Sequence, residues 1–183
     1  MRAHLAIRGS EDPASPIHRK NLPATCGACH TRSAEQFKKS RHAAALQSDT
    51  GTAAPTCSTC HGAAGTILPE ADEVSQQCTQ CHGIGKPSTH PEYAPAAKLL
   101  MAQYGAAQAM LSGAGTFIPI INDAAQRASL EVDEARATQA LATAAESIHS
   151  MDYDTIDQKL TVAFDRVVAL IRRAMTISPS TQR

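Results

Sequence analysis

From Tyr93 onward, apolar residues recur at helical spacing. Leu99, Leu100, Tyr104, Ala107 and Leu111 predict a helix over Tyr93–Leu111 that stops at Gly113-Ala-Gly115. A second helix is predicted from Pro119 or Asn122 to Ser150, with Leu130, Ala137, Leu141, Ala145 and Ile148 on one face. Met151-Asp152-Tyr153-Asp154 breaks the pattern, with Asp154 as the expected N-cap and Asp157 as an acidic residue in the first turn. The third helix, Thr155–Thr176, carries Ile156, Leu160, Phe164, Val167, Val168, Ile171 and Met175. Three amphipathic helices with short connections are expected to pack as an antiparallel bundle.

The pattern before residue 92 is different. Apolar runs are short and broken by Pro, Gly, Ser and Thr, and Gln47–Thr56 and Gly62–Pro69 read as loops. No alternating strand pattern appears, so the fold class is mainly α. An irregular first half with short helices (1–91) is followed by the helical bundle (92–183). Aromatic residues are only 3% of the chain and Trp is missing, so something other than aromatic side chains must fill the first half. Lys+Arg and Asp+Glu are 17 each, which argues against nucleic-acid binding. No apolar run is long enough for a transmembrane segment.

All six Cys lie in three copies of one pattern: Cys26-Gly-Ala-Cys29-His30, Cys57-Ser-Thr-Cys60-His61 and Cys78-Thr-Gln-Cys81-His82. C-x-x-C-H is the c-type haem attachment signature. Its two thiols add to the two vinyl groups on one edge of a porphyrin, and the adjacent His offers a ring nitrogen to the iron. An all-cysteine zinc site would use two C-x-x-C pairs and strand the third, and it would not need the histidines. A thioredoxin-like site needs one pair beside a βαβ pattern, and disulfides would not need the histidines either. Three haems c are therefore expected, held by Cys26, Cys29 and His30, by Cys57, Cys60 and His61, and by Cys78, Cys81 and His82. They would supply the apolar surface that the first half lacks.

The strings His18-Arg-Lys-Asn-Leu-Pro-Ala-Thr-Cys26, Phe37-Lys-Lys-Ser40-Arg-His42-Ala and Ala54-Pro-Thr-Cys57-Ser-Thr-Cys60-His61-Gly resemble multihaem cytochromes c of the doubled C-x-x-C-H type. Those proteins are distantly related to the nitrite reductase and hydroxylamine oxidoreductase lineage. The Ile148-His149-Ser150-Met151-Asp152 turn is similar to the helical tail of such chains. The resemblance implies bis-histidine haems of low potential, with His18, His42 and His149 as distal ligands and His90 or His4 in reserve. The chain departs from the family after its second motif, where Gly62-Ala-Ala-Gly65 replaces the frequent Gly-x-His. No nearby His then serves the second haem. Met101, Met110, Met151 and Met175 are further possible iron ligands, but their helical spacing places them in the core.

Five non-motif histidines for three irons allow every iron to be six-coordinate, so an electron carrier is expected. The alternative is a haem enzyme of nitrite or hydroxylamine chemistry, which needs one five-coordinate iron. The expected partners are redox proteins, including docking to a membrane-bound or extracellular redox complex. Haem attachment happens outside the cytoplasm, so a periplasmic or extracellular location is expected. The apolar stretch near Met1 is too short for an export signal. The residues from Met1 to His18, His4 included, read as a linker following an earlier haem, as in the C-terminal part of a longer exported protein or a chain with a misplaced start.

Overall fold

The computed structural model describes residues 8–48, 54–62, 69–88 and 90–177. His4 and the middles of both expected loops lie outside them. Among the described residues the chain is mainly helical, with no strand. Five short helices come first: α1 (Leu22–Gly27), α2 (Thr31–Lys38), α3 (Arg41–Gln47), α4 (Cys57–His61) and α5 (Ala71–His82). Three long helices follow: α6 (Tyr93–Phe117), α7 (Ala124–Ile148) and α8 (Tyr153–Ile177).

The long helices form the expected antiparallel bundle. Leu100 and Ala107 of α6 cluster with Leu141 and Ala144 of α7 and with Ile156, Leu160 and Ala163 of α8. At the opposite end Ala114 and Ile118 meet Leu130 and Leu170. The start of α6 thus faces the end of α7 and the start of α8. Ala107, Ala137, Ala144 and Ala163 are at most 1% exposed, so small side chains line the seam and let the backbones approach. Larger residues fill the rest, and fully burying Leu130 or Leu170 contributes about 1.5–3 kcal/mol each.

Four details differ from the sequence expectation. Gly113 and Gly115 do not stop α6, which runs on to Phe117 and a 3-10 turn at Ile118–Ile120. Glycine is tolerated there because the bundle holds the helix, and a Cβ on Gly115 would meet the Glu134 carboxylate at 2.7 Å. The N-cap of α8 is Asp152, not Asp154: its Oδ1 accepts from the Thr155 N–H at 2.8 Å. Leu99, Phe164 and Met175 lie on the exposed side of their helices. Met151 is not core either. It is 41% exposed and has φ 52°, in the left-handed region, where it turns the chain between α7 and α8.

Among the described residues the first half has a small core of its own, Phe37, Leu46 and Ala54. Pro23 opens α1, the Ser40 hydroxyl caps α3 by accepting from the Ala43 N–H at 3.0 Å, and Glu70 and Glu73 form a capping box on α5. Neither α4 nor α5 has a single buried residue. α5 rests on the bundle by packing along α6, α2 meets α7, and α4 packs against α1 and α5. An Arg32–Glu146 ion pair at 2.8 Å fastens α2 to the last turn of α7.

Candidate haem centres

Each attachment motif is built on a helix end. Cys26 lies in α1, with Cys29 and His30 in the turn that leads into α2. The second motif is the whole of α4, whose N-cap Thr56 forms a capping box with Thr59. The third is the last turn of α5. One helical turn puts the two Cys of a pair on one side and leaves the following His beside them.

The six cysteines form no disulfide with one another. Burial, with Cys26 alongside, pushes the Cys57 thiol up to about 11. Burial also raises Cys60, and it raises Cys78, where Cys60 adds to the effect. The same contacts show that consecutive motifs are neighbours in space: Cys26 by Cys57, and Cys60 by Cys78. Among the described residues no three His, Cys, Asp or Glu side chains converge on one point as a bare metal-ion site would require.

The structure pairs two motif histidines with histidines remote in sequence. The rings of His61 and His149 lie 6.2 Å apart, centre to centre, with planes 17° from parallel. Those of His42 and His82 lie 5.9 Å apart at 68°. A metal–imidazole bond is about 2.0–2.1 Å, so two imidazoles facing each other across one iron have centres about 6.3 Å apart. Both pairs fit that spacing. His149 reaches His61 because it is the C-cap of α7, and His30 is also close enough to influence it. His42 is carried by the first turn of α3.

Three of these rings are anchored through Nδ1. His149 Nδ1 lies 3.3 Å from the Glu146 carbonyl, His82 Nδ1 lies 2.7 Å from Ser88 Oγ, and His42 Nδ1 meets the Met151 sulfur. An Nδ1–H engaged in this way leaves Nε2 as the metal-binding atom. Burial lowers the pKa of both His42 and His149, helped at His42 by His82, so both rings are neutral at pH 7, the form that binds metal.

The other candidates stand apart. His18 lies in a lead-in segment that folds back on α1: Asn21 Nδ2 donates to the Pro13 and Ser15 carbonyls, and Thr25 Oγ1 donates to that of Pro16. His90 stacks on Tyr93 at 4.7 Å and 11° and pairs with Glu92 at 2.9 Å. The roles of Ser88 and Tyr93 beside His82 escape sequence reading, because a Ser and a Tyr in a loop carry no motif.

No helix is long and apolar enough to cross a membrane among the described residues. No curated protein and no solved structure gives a match. The family model of cytochrome c7 and related cytochrome c matches residues 14–83. That span contains all three C-x-x-C-H motifs and ends where the helical part has yet to begin. The match and the motifs it covers support reading this segment as that of a multihaem c-type cytochrome.

Proposed function

We propose that the chain is a trihaem electron-transfer cytochrome c whose irons are bis-histidine ligated and of low potential, working in the periplasm or outside the cell with redox proteins as donor and acceptor. Residues 1–91 form its haem domain, and 92–183 form a bundle that packs on it. The observation that carries the reading is the pairing of His61 with His149 and of His82 with His42 at the spacing of two ligands on one iron. On this reading Cys57 and Cys60 hold the second haem and Cys78 and Cys81 the third. Cys26, Cys29 and His30 hold the first. The folded-back lead-in favours His18 as its distal ligand, ahead of His90, which is engaged with Tyr93 and Glu92.

Haem supplies a one-electron centre when bound, and the protein tunes it by ligand, burial and hydrogen bonding. The residues do the rest. The Cys pairs fix each ring covalently and keep neighbouring centres close, as Cys26 beside Cys57 and Cys60 beside Cys78 indicate. His149 and His42 fill positions that a small substrate would otherwise take, which favours a carrier over nitrite or hydroxylamine chemistry. Two imidazoles without a Met sulfur favour low potentials.

The test is haem counting on the purified holoprotein together with carbon monoxide titration of its reduced form. Three haems that survive acid-acetone extraction, with no carbon monoxide binding, support the carrier. Binding at one haem, with turnover of nitrite or hydroxylamine, would replace it with the enzyme reading.

A further inference from the structure

We infer that Ser88 is a positioning residue for the third haem. It fixes the His82 imidazole through Nδ1 and lowers that haem's potential relative to an unanchored ligand. This rests on the reading of His82 as an iron ligand. Ser88 Oγ lies 2.7 Å from His82 Nδ1 and accepts from the His90 N–H at 3.3 Å. With Nε2 facing the iron, Nδ1 carries the proton and donates it to Oγ. Two accepted bonds use both lone pairs of the hydroxyl.

The serine is itself fixed. Its backbone N–H donates to the Cys81 carbonyl at 3.0 Å, so it is tied to the cysteine that anchors the same haem. Tyr93 packs its ring against His82 at 5.3 Å, and His90 stacks on Tyr93 at 4.7 Å. The ring of His82 is thus held by a hydrogen bond at one edge and by Tyr93 beside it. Donation from Nδ1–H to a hydroxyl makes the imidazole a more basic ligand, and a more basic ligand favours ferric iron.

The test is a spectroelectrochemical titration of the holoprotein with wild-type, Ser88→Ala and Ser88→Thr chains, with haem count and spin state recorded for each. In Ser88→Ala all three haems stay bound and low-spin, one potential rises and the other two hold. Ser88→Thr keeps the hydroxyl and the wild-type potentials. Three unchanged potentials in Ser88→Ala, or equal shifts in Ala and Thr, overturn the proposal. The wild type offers a second measurement that needs no variant. In the reduced, diamagnetic protein with ¹⁵N-labelled His, the His82 Nδ1–H is protected from exchange with water, and fast exchange at that site overturns the proposal. A wild type with Cys78 and Cys81 unmodified would instead reject the haem reading itself, before Ser88 is considered.

Discussion

Replacing His149 by Ala tests the link between the two halves of the chain. The ring stands 6.2 Å from His61 at the C-cap of α7, far in sequence from every motif. Ala ends well short of the iron, and Met151, the nearest sulfur along the chain, is turned toward His42. One haem in three should therefore lose its sixth ligand and become high-spin. A third of the low-spin signal should disappear from the oxidised spectrum, and the reduced variant should bind one carbon monoxide per chain. The substitution also removes a half-buried ring and its bond to the Glu146 carbonyl, so the holoprotein should lose about 1–3 kcal/mol in denaturant titration. His149→Met is the control: a sulfur restores six-coordination and raises the potential of that haem. An unchanged spectrum with no carbon monoxide uptake by His149→Ala would refute the argument from ring spacing.

His42→Ala should open one haem in the same way. The double variant with His149→Ala should then bind two carbon monoxides per chain, where a single uptake would mean that both serve one iron. Electron paramagnetic resonance of the oxidised protein should resolve at least two low-spin forms if these pairs are the axial ligands, because the His61 and His149 rings are 17° from parallel and those of His42 and His82 are at 68°; one uniform low-spin signal would contradict those angles. Asp152→Ala removes the cap on α8 and should cost about 1 kcal/mol, read from the midpoint of chemical unfolding, whereas Asp154→Ala should be near neutral. Ala144→Leu places a larger side chain in the closed seam of the bundle and should cost about 1–3 kcal/mol by the same measurement.

The c-type cytochrome character of the first half was legible because covalent haem attachment demands fixed residue types at fixed spacing, as in the three C-x-x-C-H motifs. The bundle was legible because Leu100, Leu130, Ile156 and Leu160 recur at helical intervals and are all buried. Boundaries were read less well. Gly113 and Gly115 carry a stop signal that tertiary packing overrides. Asp152 and Asp154 are both good caps, and only the left-handed turn at Met151 decides between them. After the second motif the local sequence lacks a histidine, and the ring found beside His61 is that of His149 from the end of α7. That proximity depends on α2 packing on α7 and on α4 bringing His61 to its end, a three-dimensional fact with no sequence periodicity behind it. Ser88 and Met151 were invisible as anchors of imidazole nitrogens for the same reason.

The split in composition has a physical consequence for how the protein assembles. Among the described residues the first half has five helices of 5–12 residues. Helices shorter than about 12–15 residues are marginal in water without tertiary support. Among the described residues that support comes from no large core, since the cluster is Phe37, Leu46 and Ala54 with Ala43 against them, and α4 and α5 carry no fully buried residue. The bundle has its own buried seam and does not share this weakness. A first half built around haems would gain its core only once they are attached. The bundle offers the preformed surface on which that core closes: Glu146 holding Arg32, His149 facing His61, and Tyr93 seated against His82. Attachment and folding of the first half would then be one coupled event, with the end of α7 bringing His149 to His61 and α3 bringing His42 to His82.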